Sequence, residues 1–161
     1  LYVQTPPSSV SFLTNDNRKC RVIIYDFKKL LKLKNIFAVV FYGYKRNEIS
    51  QDDSSEFFTP DWEIAMSMTG SKNILCYASQ EFADGNWFNI VLFTKEAAKM
   101  DVLAKEKHNY ASRVLAPKRF SWVRLHNALL PKGISGNSNI KFRKTNYYNF
   151  DSMWFAERIY E

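Results

Sequence analysis

The run from Asn35 to Tyr44, NIFAVVFYGY, has no polar face. In an extended chain successive side chains alternate, so Ile36, Ala38, Val40 and Tyr42 fall on one side and Phe37, Val39 and Phe41 on the other. A strand apolar on both sides belongs in the middle of a sheet rather than at its edge. The rest of the chain must therefore supply neighbouring strands and elements to lie against them.

Those neighbours can be read along the chain. Arg21 to Phe27 is β-branched and aromatic and reads as a strand. Asn73 to Phe82 and Asn86 to Thr94 are two more, joined as a hairpin by Ala83-Asp84-Gly85, whose Asp-Gly pair suits a tight turn. Phe120 to Leu130 alternates, with Val123, Leu125 and Leu129 on one side and Phe120, Trp122, Arg124, His126 and Ala128 on the other. Ile140 to Phe150 and Met153 to Tyr160 read as two further strands. A short helix is expected from Thr59 or Pro60 to Gly70, with Asp61 and Glu63 in its first turn. A longer one, about six turns, is expected from a Thr94 cap to Pro117. Its apolar stripe is Ala97, Met100, Ala104, His108, Ala111 and Leu115. Lys28 to Lys34 is basic surface, a helical turn, a strand edge or a membrane-touching patch. Residues 1–19 suit an extended arm and residues 20–161 a single α+β domain. From Asn35 onward the order is strand, helix, strand, strand, helix, strand. That is the ferredoxin-like arrangement, an antiparallel sheet with helices on one face, with extra strands at both ends.

With 161 residues, 46% of them hydrophobic, the chain can bury a full core. Its net charge of +7 is unevenly spread. Between Lys107 and Phe150 stand nine basic residues and no acid, whereas acids gather between Glu48 and Glu63. A solvated basic surface explains this simply. The sharper reading is an anionic partner, whether acidic protein, lipid headgroup or nucleic acid, with Lys141, Arg143 and Lys144 as the anion-binding residues. Cys20 and Cys76 are too far apart for a CxxC pair and read as free thiols, and no metal site is expected. The longest apolar run, Ile36 to Tyr44, falls short of the ~20 residues of a membrane helix, and no signal-peptide pattern opens the chain. A soluble protein, intracellular rather than secreted, is the expectation.

No GxSxG, HExxH, P-loop or GxGxxG motif occurs, so the chemistry must be sought in the two histidines and their surroundings. His108 on the helix stripe is either a satisfied core histidine or a catalytic base or ligand. His126 shares a strand face with Trp122 and Arg124, and these with Phe120 would suit an anionic aromatic ligand by stacking and ion pairing. Cross-strand packing and a dimer contact are the plainer account of the same residues.

The phrases GNWFNIVLFTKEAAK and EKHNYAS, with the order of elements over residues 35 to 130, resemble the dimeric α/β-barrel superfamily of antibiotic-biosynthesis and haem-degrading monooxygenases. The resemblance implies a homodimer whose two sheets close into a barrel, with a pocket between each sheet and its second helix. It implies a monooxygenase acting on a hydrophobic or aromatic substrate or on haem. In haem-binding members a helix histidine is assisted by a strand Trp and by an Asn near the first strand. His108 and Trp87 stand in comparable places, and Asn35 is a loose match for the amide. The candidate set is thus His108 as catalytic residue, and Trp87, Asn89, Trp122, Arg124 and His126 as ligand-binding residues. A noncatalytic scaffold subunit docking an anionic partner through its basic C-terminal half is the alternative.

Overall fold

A computed structural model describes residues 8–47, 53–134 and 140–161. Strand β3 (Ile36–Lys45) lies inside the sheet as its two apolar faces require, paired with β5 (Trp87–Phe93) on one side and β6 (Phe120–Leu130) on the other. The remaining strands are β1 (Ser8–Leu13), β2 (Lys19–Ile24), β4 (Ile74–Glu81), β7 (Lys141–Asn149) and β8 (Trp154–Ile159). Together they form one eight-stranded sheet in the order β1-β2-β4-β5-β3-β6-β7-β8, antiparallel throughout. The fold is α+β. The expected hairpin of β4 and β5 is present, and Gly85 takes the positive φ of 79° that its turn needs. Ser8–Leu13, within the expected arm, is an edge strand on β2.

One face of the sheet is covered by helices. Helix α2 (Asp53–Ser67) sets Ala65 and Met68 on Ile23, Tyr77, Val91 and Phe93. It begins at Asp53 rather than at Thr59 or Pro60. By sequence Asp53 and Glu56 give the earlier start its own acidic first turn, and Pro60 is carried inside the helix. A buried clasp fixes it. Asp61 accepts hydrogen bonds from the Arg21 guanidinium at 2.5 Å, from Ser79 Oγ at 3.0 Å and from the Tyr77 hydroxyl, joining α2 to β2 and β4. Arg21 also lies 4.7 Å from the Trp62 ring.

The expected six-turn helix is instead a broken path. A 3₁₀ turn (Glu96–Ala98) leads into α3 (Lys99–Leu103), then α4 (Glu106–Tyr110), a π-helical turn (Ala111–Leu115) and α5 (Ala116–Arg119). Thr94 does not cap it, for its hydroxyl bonds Asn73 Oδ1. Lys105 is extended, with φ −74° and ψ 131°, and this break changes which side faces inward. Ala98 and Val102 are buried before it, whereas Ala97, Met100 and Ala104 of the expected stripe are exposed. Pro117 opens α5 instead of ending a helix, as proline's missing N–H allows.

Below α5, Trp87, Ala116, Phe120 and Val123 form a second cluster on the same face. Phe120 belongs here and not, as its alternation suggested, with Trp122 and Arg124. The register slips at Tyr44/Lys45, turning Phe120 over to the side of Val123. Its ring then lies on the backbone of Gly43, where an added Cβ would come within 2.6 Å of it.

Helix α1 (Phe27–Lys32) is on the opposite face, so the helices do not all share one side. Asp26 caps it, accepting from Lys29 N at 3.0 Å, and Leu30 packs with Ile36, Ala38, Leu92, Ala128 and Leu130. It covers only the Ile36–Leu130 end of that face. No helix among the described residues is long and apolar enough to cross a membrane.

Candidate functional site

Beyond α1 the second face carries no helix among the described residues. The strand register places Trp122, Arg124 and His126 of β6 beside Asn149, Tyr147 and Thr145 of β7, and these beside Trp154, Ala156 and Arg158 of β8. Arg124 is exposed. Its guanidinium lies 4.7 Å from the Trp122 ring and 5.7 Å from that of Tyr147, cation–π distances that spread the charge over two apolar plates. His126 Nδ1 is 2.7 Å from the buried Thr145 Oγ1, which is 3.0 Å from the Tyr160 hydroxyl. The Arg158 guanidinium stands 4.9 Å from the Tyr160 ring, and Phe142 flanks His126 at 5.0 Å. Burial, then the neighbouring Arg124 charge, holds His126 below the usual histidine range, so its imidazole is neutral at pH 7. The hydrogen bonds from Thr145 and Tyr147 lower the Tyr160 phenol.

Along β1 to β8, the positions of this face hold Arg124 and Arg158 and no Asp or Glu among the described residues. Rings continue from Trp122 across the neighbouring strands. Tyr44 stacks on Trp122 at 5.0 Å and 4°, Tyr42 is 5.6 Å from it, and Phe82 lies 6.0 Å beyond Tyr42. Beside Tyr42, Phe82, Ala83 and Asp84 is an open recess of about 350 Å³. Flat apolar walls, two arginines and a neutral imidazole whose Nδ1 is already engaged can hold a planar aromatic group and pair with its negative charge.

The helical face holds the other expected residues. His108 on α4 is half-buried, its Nδ1 is buried without a hydrogen bond among the described residues, and burial lowers its pKa. Lys107 pairs with Glu63, which keeps α4 against α2. Asn89 points to this face beside Phe41 and Ser79. Trp87 is 1% exposed and packed against Ala116, Phe120 and Val123, with Arg119 5.9 Å from its ring. A porphyrin needs a slot beside such a tryptophan, and here side chains fill it, so the residues do not fit haem in the place the resemblance implies. Asn35 is exposed before β3. The sheet thus separates His108, Trp87 and Asn89 from Trp122, Arg124 and His126.

The basic triplet is not a patch of free cations either. Lys144 pairs with Glu157, Lys141 is exposed near the strand end, and Arg143 lines a small crevice with Lys99, Glu96 and Asn127. Cys20 and Cys76 are free, and burial raises both thiols, Cys76 to about 11. The described residues contain no group of three or more His, Cys, Asp or Glu placed to hold a metal ion. Sequence reasoning missed Thr145, Arg158 and Tyr160, and did not set Tyr147 beside Arg124. Their alternation was visible, but the register that sets Thr145 beside His126, Tyr147 beside Arg124 and Arg158 beside Thr145 belongs to pairs of strands and not to one strand alone. Comparison with known protein families, with curated proteins and with solved structures finds no match.

Proposed function

We propose that the chain forms a homodimer through the open face of its sheet and binds a planar, anionic, aromatic ligand at the Trp122–Arg124–Tyr147 end of that face. The observation that carries this is Arg124, exposed between two rings on a face whose described strand positions hold no carboxylate. The run β4-β5-β3-β6 has the strand order of a split βαβ unit, which supports the ferredoxin-like, dimeric α/β-barrel reading. In that setting the ligand class is that of an aromatic substrate, and His126 offers Nε2 to a ligand hydroxyl while Thr145 occupies Nδ1. The alternative, a noncatalytic subunit docking an anionic partner through Lys141, Arg143 and Lys144, has less behind it because Glu157 already neutralises Lys144.

Fluorescence titration with anilinonaphthalene sulfonate, an aromatic anion, tests the ligand site. Arg124→Ala and Trp122→Ala should each weaken binding about tenfold or more, since each removes a charge-assisted or stacking contact, with the circular dichroism spectrum unchanged. Equal affinity in both variants and the parent chain would sink the proposal.

A further inference from the structure

We infer that a second copy of the chain roofs this site, with its β1, β2 and β4 lying over β8, β7 and β6. The inference rests on the open face being a dimer interface, and it adds which residues of the second copy complete the site. The face asks for cover, because Val10 is 53% and Phe12 48% exposed on β1, and Val22, Ala78, Ile90 and Val40 continue the apolar surface inward. Eight strands ~4.8 Å apart, with about five residues each at ~3.4 Å, span roughly 650 Å² of sheet. That approaches the ~800 Å² per partner of a standard interface.

Sheets that pack face to face keep their strands nearly aligned, and a closed pair is related by a two-fold axis. Two such axes lie between the sheets. An axis across the strands would set Arg124 and Arg158 of one copy against those of the other. It would also bring α1 of the second copy, with Lys28, Lys29 and Lys32, to the arginine end. Arginine set against arginine in a dry interface opposes it, and this is the contact that the second axis avoids. An axis along the strands reverses the strand order and keeps both copies of α1 at the Ile36–Leu130 end.

The residue rows then match. The row that includes Arg124 reads Phe12, Cys20, Gln80, Phe88, Tyr42, Arg124, Tyr147, Ala156 from β1 to β8. Laid on its own reverse, it sets Phe88 on Tyr42, Gln80 on Arg124, Cys20 on Tyr147 and Phe12 on Ala156. Ring meets ring, and an amide carbonyl that accepts hydrogen bonds meets the guanidinium. The adjoining row sets Ile90 on Val40, Ala78 on His126 and Val10 on Arg158. Within these two rows no charge meets a like charge. Gln80, Cys20 and Phe12 of the second copy close the side of the site that faces solvent in one copy.

Crosslinking decides between the axes. In a Cys20→Ser background, a mixture of Phe12→Cys and Ala156→Cys chains treated with a short bis-maleimide should give a crosslinked dimer, and Phe12→Cys alone should not. A Val10→Cys and Arg158→Cys mixture repeats the test should the first pair disturb the strand. Crosslinking of Phe12→Cys to itself, or a dimer by sedimentation in which neither mixture links, overturns this arrangement and leaves the dimer standing. Sedimentation as a monomer overturns both. Gln80→Leu should weaken sulfonate binding about tenfold with the dimer intact, and unchanged affinity would count against the roof.

Discussion

Beneath α2 and α5, in the middle of the helical face, the sheet's side chains end in contacts within the chain, whereas at its margins Leu13, Phe155 and Ile159 stay exposed. Asp61 receives Arg21, Tyr77 and Ser79, and Trp87 meets Ala116, Phe120 and Val123. On the open face they end at the surface, with Val10 and Phe12 about half exposed and Arg124 held only by rings. The same strands carry both faces, since β3 gives Phe37, Val39 and Phe41 to one and Val40 and Tyr42 to the other. A strand with two apolar faces needs two covers, and the described residues place helices over β3 on one face and only α1 over its Ile36 end on the other. The difference ties the helical face to folding and leaves the open face as the place for the proposed binding.

The largest expected effect breaks that assignment if it fails. Asp61→Ala removes the buried carboxylate that pairs with Arg21 beneath α2 and accepts from Tyr77 and Ser79. Loss of one partner from a buried pair costs about 3–5 kcal/mol, and chemical denaturation should show a fall of that size. Arg124→Ala on the other face should move the same midpoint hardly at all, because it is exposed and joined to no acid among the described residues. A fall of a few kcal/mol in Arg124→Ala would mean that the open face is also part of the fold's own stability.

Gly43→Ala sharpens the comparison at a place where the two faces share one backbone. An added Cβ would meet the Phe120 ring at 2.6 Å, and Phe120 is fully buried and has nowhere to retreat. Overpacking of this kind costs about 1–3 kcal/mol. Denaturation should show that loss, whereas sulfonate affinity should stay close to that of the parent chain, since Phe120 is on the far side from Trp122. Lost affinity at full stability would show that the faces are coupled through β3.

How much of this was legible depends on the range of the physics involved. β3, the β4–β5 hairpin and β6 to β8 are set by local alternation and turn chemistry, and they read directly from residues such as Asp84, Gly85 and the Ile36–Tyr44 run. Phe120 was misplaced because a bulge against Lys45 reverses its side, and a bulge is a property of two strands together. The helix from Thr94 to Pro117 was read as continuous because each short piece has helical character. Its break at Lys105 arises from tertiary demand, the need to bury Ala98 and Val102. Trp122, Arg124 and His126 could be grouped because they lie on one strand. Thr145, Tyr147, Arg158 and Tyr160 could not, since they reach that group only through the register of β7 and β8.

The smallest expected effect is a titration, and it separates the faces through the chain's two histidines. Both have pKa values held below the ordinary 6.5, His108 by burial and His126 by burial and then by Arg124. With a lowered folded pKa, the native state binds fewer protons than the unfolded chain, so stability is full above pH 6.5 and declines as pH falls below it. His108 is half-buried on α4, which packs beside α2, and its titration should not depend on protein concentration. His126 lies on the proposed interface, where a protonated ring would add charge beside Arg124. Dimerisation should therefore lower its pKa further, and falling pH should weaken the dimer. Imidazole proton resonances followed by NMR at low and high protein concentration read both at once. A concentration-dependent shift of His126 alone fits the open face as the interface. The same shift at His108, or none at either, would remove the open face as the place where two copies meet.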